Sequence, residues 1–313
     1  MKLHFKKALV TGGAGFIGSH IVDELLDRGI KVAVIDNLST GNLQNLAHVQ
    51  ERISFFQGDI RDHDILTKAV QGSDVIFHLA AVVSVTQTVE QPIDSAMVND
   101  LGTLSILEVA RQHDVKKVII SSSCAVYGDS PKLPKIETMI PLPLSPYAVQ
   151  KLTGELNAKV YNDLYGLKTV CLRYFNVYGP RQDPSSPYSG VISIFMSKAA
   201  SKDTPVIYGD GNQYRDFIFV KDVVRANLLS AIDDKACGKV FNIGSAKNTT
   251  INQLWKMICT MTALKIKPEY RPERSGDIRE SFADIKRAQS ILGFLPEYSF
   301  EKGLEITLQH AMV

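Results

Sequence analysis

Tyr147 and Lys151 stand four residues apart in the segment S-P-Y-A-V-Q-K at 145–151. On a helix that spacing puts both side chains on one face, and Ser145-Pro146 ahead of them supplies a capping hydroxyl and a residue suited to the first turn. A phenol is a poor base near neutrality because its reference pKa is about 10. An ammonium roughly 5 Å away, at an effective dielectric near 20, contributes about 3 kcal/mol, some two pKa units, toward phenolate. The pair therefore reads as a general base for a hydroxyl. Ser121, Ser122 and Ser123 close the apolar run 118–120, where hydroxyls project from the carboxyl edge of a parallel sheet toward any ligand.

A second constellation lies near the N-terminus. Residues 11–18 read T-G-G-A-G-F-I-G, directly after an apolar run and at the start of an amphipathic stretch. In such a strand-turn-helix, Gly12 permits the tight turn, Gly15 lets backbone N–H groups approach a pyrophosphate, and Gly18 allows close helix packing. Asp36 closes the next apolar run, K-V-A-V-I-D. A carboxylate there accepts from both ribose hydroxyls of an adenosine and repels a 2′-phosphate, which favours NAD over NADP. Asp59 follows the third apolar run, where it suits either an adenine amine or an ordinary turn. Leu79, Ala80 and Ala81 end the fourth with small residues that suit close approach by a flat ligand or plain helix packing.

The elements that must carry these groups alternate. Strand-length apolar runs occur at 8–10, 32–35, 53–56, 75–79, 118–120 and 169–172, with helical patterns between them at 15–28, 62–70, 98–112 and 146–165. Near-continuous apolar strands joined by helices predict a doubly wound parallel α/β sheet covered on both faces. After 173 the pattern loosens into a Pro/Ser-rich stretch, a helix near 191–200 and short strands around 206–208 and 216–220. A helix at 223–232 and a strand at 240–243 return to the first unit. The expected division is a cofactor-binding domain at 1–172, joined by about 221–243, and a smaller C-terminal substrate-binding lobe formed by 173–220 and 244–313.

The balance of the chain narrows its function classes. Its 313 residues carry 35 basic and 33 acidic side chains, a formal charge of +2, without a basic block or acidic tail. That argues against nucleic acid or a membrane surface as partner. The four cysteines, Cys124, Cys171, Cys237 and Cys259, form no C-x-x-C pair and read as buried free thiols. The seven histidines show no ligand-like spacing, so no metal site is expected. Residues 2–22 superficially mimic a signal peptide, but the glycines and Thr11 interrupt any apolar core, and no run reaches membrane-spanning length. The expectation is a cytoplasmic protein.

The segments T-G-G-A-G-F-I-G, H-L-A-A, N-D-L-G-T, S-S-S-C-A-V-Y-G, S-P-Y-A-V-Q-K, R-Y-F-N-V-Y-G-P-R-Q, G-D-G-N-Q-Y-R-D-F-I-F-V-K-D and R-S-G-D-I-R-E-S resemble the extended short-chain dehydrogenase/reductases along essentially the whole chain, and within them the UDP-sugar 4-epimerases. The resemblance implies a Rossmann domain that binds NAD and a homodimer paired through the helices near 98–112 and 146–165. It implies that Tyr147 is the base, that Lys151 holds the nicotinamide ribose, and that Ser123 hydrogen-bonds the substrate. The implied cofactor contacts are Gly12, Gly15, Phe16, Ile17, Gly18, Asp36, Asn37, Asp59, Ile60, Leu79, Ala80, Ala81, Asn99, Tyr147, Lys151 and Tyr174. On the substrate side the resemblance implies Ser84, Ser123, Tyr147, Asn176 near the diphosphate, Val191 and Ile192 beside the nucleotide base, and Tyr208 and Gln213 lining the pocket. Arg215 and Arg274 would meet the phosphates, Asp277 the uridine ribose, and Ser281 the hexose.

Within that resemblance, dehydratases place an acidic pair after the strand-end hydroxyl, whereas Cys124-Ala125 occupy the position here. Neither can protonate a leaving hydroxide, so 4-epimerisation is the expected reaction. A small residue at Ser281 further implies room for an N-acetyl group, hence UDP-N-acetylglucosamine and UDP-N-acetylgalactosamine alongside the plain hexoses; the alternative is a solvated loop at Ser281. A UDP-glucuronate decarboxylase or epimerase and a non-catalytic NAD-binding sensor are the rival readings.

Overall fold

The apolar runs become the strands of one parallel sheet. A computed structural model describes residues 1, 3–183, 190–273 and 279–311. In chain order the first part comprises β1 (Lys7–Thr11), α1 (Phe16–Asp27), β2 (Lys31–Asp36), β3 (Ile53–Gln57), α2 (His63–Val70), β4 (Val75–His78), α3 (Val85–Glu90), α4 (Pro92–Ala96), α5 (Gly102–Gln112), β5 (Lys117–Ser123), α6 (Pro146–Tyr165) and β6 (Lys168–Tyr174). Then follow β7 (Asn176–Tyr178), α7 (Val191–Ser201), β8 (Val206–Tyr208), β9 (Tyr214–Arg215), β10 (Phe217–Phe219), α8 (Val220–Ile232), β11 (Lys239–Ile243), β12 (Thr249–Thr250), α9 (Ile251–Thr262), β13 (Glu269–Arg271), β14 (Glu280–Ser281) and α10 (Phe300–Ala311).

Seven strands form the main sheet in the order β11-β6-β5-β4-β1-β2-β3, and every pairing in it is parallel. Sequence-adjacent strands β1 and β2 pair, but β1's other neighbour is β4, so the winding reverses between them and opens a crevice at the carboxyl ends. Burial of β1, β2, β4 and β5 on both faces accounts for their unbroken apolar text. One face packs Ile21, Val22 and Leu25 of α1 with Val223 and Ala226 of α8. The other packs Leu66 of α2, Ile106 and Leu107 of α5, and Ala158 of α6. A third cluster, around Phe195, Trp255, Ile258 and Leu304, fills the space between α7, α9 and α10.

Local signals account for several helix ends. Asp62 caps α2 and Thr250 caps α9 in a reciprocal box with Gln253, while Gly166 ends α6 in the left-handed region. Two expectations shift. Helices α3 and α4 occupy 85–96, where the amphipathic pattern was too short to register. Of the four thiols, all unbridged, only Cys171 is fully buried and the other three are half-buried. Among the described residues no helix is long and apolar enough to cross a membrane.

Candidate active site

The glycine turn sits at the crevice and is built for close approach. Gly12 has φ +67°, and a Cβ there would lie 2.8 Å from the Ala80 backbone nitrogen. A Cβ on Gly18 would overlap the Gly12 carbonyl oxygen and stand 2.9 Å from the Gly13 Cα. The first turn of α1, carrying Phe16 and Ile17, begins behind Gly15 with no side-chain cap, leaving its N–H groups to an anion. This cradle, too tight for any side chain, fits the pyrophosphate of a dinucleotide.

Asp36 ends β2 only 7% exposed. Its carboxylate accepts from the Ala14 and Leu38 backbone N–H groups at 2.9 Å each, and burial raises its pKa. Lone pairs remain for a ribose. Asn37 donates to Asp59, whose carboxylate also takes the Arg61 guanidinium at 2.8 and 2.9 Å; the Arg61 bonds hold Asp59 down to about 2. Asp59 is thus well occupied by its own turn. Ile60 is buried, Leu79, Ala80 and Ala81 are half-buried at the crevice, and Tyr174 is buried with its hydroxyl bonded to Asn227. Asn99 clamps the loop beyond β4, accepting from the Val82 N–H and donating to the Val82 carbonyl and to Gln150.

Sequence reading missed a buried chain beneath this loop. The Leu79 and Ala80 N–H groups donate to Thr11 Oγ1, which leaves the Thr11 proton for His78 Nδ1 at 2.8 Å. His78 Nε2 then donates to Thr103 Oγ1 at 3.0 Å. Burial lowers His78 to about 3, so the ring is neutral and the tautomer follows from its partners. The only sequence trace was the histidine of H-L-A-A.

The three serines have three different jobs. Ser121 offers its carbonyl to Lys151 Nζ at 3.0 Å, Ser122 donates to Glu155 at 2.5 Å, and the Ser123 hydroxyl lies beside the Tyr147 phenol, where it favours the ionised form. Ser145 caps α6 through the Ala148 N–H, and Tyr147 N–H donates to Thr88, which fixes the first turn of the helix. Burial opposes the ionisation that the lysine and a cofactor cation would favour. Burial pushes Tyr147 up to about 12 despite the Ser123 hydroxyl, and burial pushes Lys151 down to about 8. The ammonium stands 5.8 Å from the centroid of the Tyr147 ring.

Across the crevice, β9 and β14 form a small sheet with Ser281 beside Arg215. Ser281 is 8% exposed and its hydroxyl lies beside the Cys124 thiol, so it is buried in the small sheet and not part of a solvated loop. The thiol itself is pushed by burial to about 11. Arg215 donates to the Tyr214 and Arg279 carbonyls at 3.0 and 3.3 Å. Asp216, fully buried, gathers the N–H groups of Ser245, Ala246 and Ala283 and the Ser245 hydroxyl; it fixes these strands together and was not anticipated. Asn176 donates to the Asp216 carbonyl and Gln213 to the Tyr208 carbonyl at 2.7 Å. Val191 opens α7 half-buried, but the Ile192 side chain lies in the core with Phe195, leaving only its backbone for a ligand. Ser84 caps α3 through the Gln87 N–H. Arg274 and Asp277 lie outside the described residues. No cluster of potential metal ligands occurs among the described residues.

A doubly wound parallel sheet with a glycine turn after β1, an acid after β2, and a serine, tyrosine and lysine converging at the ends of β5 and α6 defines the extended short-chain dehydrogenase/reductase class. The chain belongs to the NAD dependent epimerase/dehydratase family, whose model matches residues 8–244, and NAD is accordingly its cofactor. It is 43% identical to a putative UDP-glucose 4-epimerase of Methanocaldococcus jannaschii over 95% of both chains. The solved UDP-N-acetylglucosamine 4-epimerase from Methanobrevibacter ruminantium, in complex with UDP-N-acetylmuramic acid, is 44% identical, with TM-score 0.94 over 98% of both chains. The Thermus thermophilus UDP-glucose 4-epimerase, in complex with NAD, is 37% identical, with TM-score 0.88 over 97% of this chain and 98% of that one.

Proposed function

We propose that this enzyme interconverts UDP-hexoses at carbon 4, including UDP-N-acetylglucosamine and UDP-N-acetylgalactosamine, with residues 1–172 and 221–243 holding NAD and 173–220 and 244–313 holding the UDP-sugar. Gly12, Gly15, Gly18 and Asp36 would hold the cofactor's pyrophosphate and ribose. NAD, when bound, supplies a hydride acceptor and donor and a positive charge beside the phenol. Tyr147 takes the proton of the sugar 4-hydroxyl with Ser123 bonded between them, and returns it after the 4-keto sugar has turned its other face. Lys151, held on the Ser121 carbonyl, sets the field at the phenol. No carboxylate follows Ser123, so nothing there protonates a leaving hydroxide.

The observation that carries the substrate reading is Ser281, a small buried side chain backed by Cys124. A tyrosine in its place would fill the space an acetamido group needs, at an overpacking cost of about 1–3 kcal/mol, roughly five- to 150-fold in kcat/KM. The test is NMR product analysis of UDP-glucose, UDP-N-acetylglucosamine and UDP-glucuronate with wild type, Ser281→Tyr, and Tyr147→Phe as the inactive control. The expected result is that wild type converts both hexose pairs and Ser281→Tyr loses chiefly the N-acetylated one. Equal loss of both pairs, or wild-type activity confined to UDP-glucuronate, refutes the reading.

A homodimer in the cytoplasm completes the proposal. On α6, Val149, Leu156, Val160 and Leu164 form an exposed apolar stripe, Leu156 at 58% and Leu164 at 72%, flanked by exposed Met97 and Leu101. Two such stripes bury one another. Light scattering from a stable monomer at micromolar concentration removes this part.

A further inference from the structure

Directly beneath the reacting hydroxyls lies a charged pair with no role in the chemistry described above. Glu155 and Arg173 are 5% and 3% exposed. Glu155 Oε1 accepts from Arg173 Nε at 2.8 Å and from Ser122 Oγ at 2.5 Å, and Oε2 accepts from Arg173 Nη2 at 2.7 Å. Ser122, Arg173 and Asn242 sit side by side in register on β5, β6 and β11. The guanidinium lies 4.7 Å from the centroid of the Tyr127 ring, and the Tyr127 hydroxyl donates to Asn242 at 2.6 Å. A polar row thus crosses three strand ends one residue below Ser123, and Glu155 reaches down to it from α6.

Tyr147, Lys151 and Glu155 repeat every four residues along that helix. The first two face the ligand, and the third is locked to the strands that carry Ser121, Ser122 and Ser123. Apolar packing of equal volume would hold the helix as firmly but without direction. A bidentate carboxylate-guanidinium fork fixes both the rotation of the helix and its height above the sheet. Proton transfer demands that precision, because a displacement of about 1 Å at reacting atoms costs about a hundredfold in rate.

We propose that Glu155 and Arg173 are positioning residues that hold α6 against the end of β5 and thereby set the alignment of Tyr147 with Ser123 and of Lys151 with the Ser121 carbonyl. The proposal rests on the assignment of Tyr147 and Ser123 to proton transfer. Its test is the Glu155→Leu/Arg173→Met double variant, which leaves no buried charge unpaired, alongside Ser122→Ala, which cuts only the bond from Glu155 to β5 and keeps the fork to β6.

Two readouts are taken on purified protein. The first is steady-state kinetics with the folded enzyme counted by stoichiometric NAD binding: kcat per folded enzyme is expected to fall at least about tenfold while KM stays within about twofold. The second needs no turnover: the Lys151 ammonium is titrated by NMR of ¹³Cε-labelled lysine, its signal identified by its absence from Lys151→Met. A helix that drifts off the strand frees the amine to water, and its titration moves from about 8 toward the ordinary 10.5. The titratable groups that meet it from the neighbouring elements, Tyr147, His78 and Cys171, are the same in every variant, and Ser122→Ala removes no charge, so a shift shared by the double variant and Ser122→Ala reports movement of the amine. If the double variant is folded and Lys151 titrates as in wild type, the proposal is overturned whatever the activity; should the double variant not fold, an unshifted Lys151 in Ser122→Ala overturns the positioning role of the Glu155 contact to β5. A wild type inactive on every UDP-hexose would sink the proposed reaction and leave this titration to decide the positioning role by itself.

Discussion

Substituting Gly18 by alanine tests the cofactor cradle without touching a charge. Alanine is the better helix former by about 1 kcal/mol, and Gly18 lies inside α1, so intrinsic propensity favours the change. Geometry opposes it. The new Cβ would overlap the Gly12 carbonyl oxygen and stand 2.9 Å from both the Gly12 carbonyl carbon and the Gly13 Cα. All three are backbone atoms, so no side chain can rotate away, and α1 must separate from the turn. Overpacking of this kind costs about 1–3 kcal/mol, enough to outweigh the propensity gain. The same separation withdraws backbone N–H groups from a pyrophosphate, and a loosened bond to a charged acceptor is worth about 1.5–3 kcal/mol, or roughly ten- to a hundredfold in affinity.

Gly154→Ala is the matched control. That glycine is also buried within a helix, α6, but its Cβ would meet only Thr103 Cγ2, at 3.7 Å, an ordinary contact. It should be neutral or stabilising by up to about 1 kcal/mol, with NAD binding unchanged. Thermal unfolding and calorimetric titration with NAD measure both proteins. If Gly18→Ala unfolds like wild type and binds NAD within twofold of it, close approach of α1 to the turn is not what shapes the cradle.

Two further expectations concern charged groups. Asp36→Ala removes the acceptor of the Ala14 and Leu38 N–H groups as well as the expected ribose contact, so it should lower the unfolding temperature and weaken NAD more than NADP; equal loss of both dinucleotides would mean that the carboxylate does not read the ribose. Lys151 titrates near 8 when folded and near 10.5 ordinarily, so between those values the unfolded chain holds the extra proton and stability rises with pH, by at most about 3 kcal/mol. Denaturant unfolding of wild type and Lys151→Met at pH 7, 8, 9 and 10 should show that rise only in wild type, and parallel curves would assign it elsewhere.

The sequence by itself determined the features whose physics is local. Three glycines at 12, 15 and 18, an acid closing the second apolar run, and a tyrosine four residues before a lysine each act within one turn or one helix, so spacing alone reveals them. Unbroken apolar strands likewise announced a parallel sheet covered on both sides. The tertiary structure decided what depends on neighbours distant in the chain. Which serine serves Tyr147 followed from the register of β5 against α6, which assigns Ser121 to Lys151 and Ser122 to Glu155. Asp216 anchors backbone groups at 245, 246 and 283, and Arg173 meets Glu155 and Tyr127, through strand and loop contacts that leave no periodic trace. Burial of the Tyr147 phenol is likewise a tertiary property. A sequence displays which charge stands four residues away, but desolvation is set by every element packed around the phenol, and burial pushes Tyr147 up to about 12.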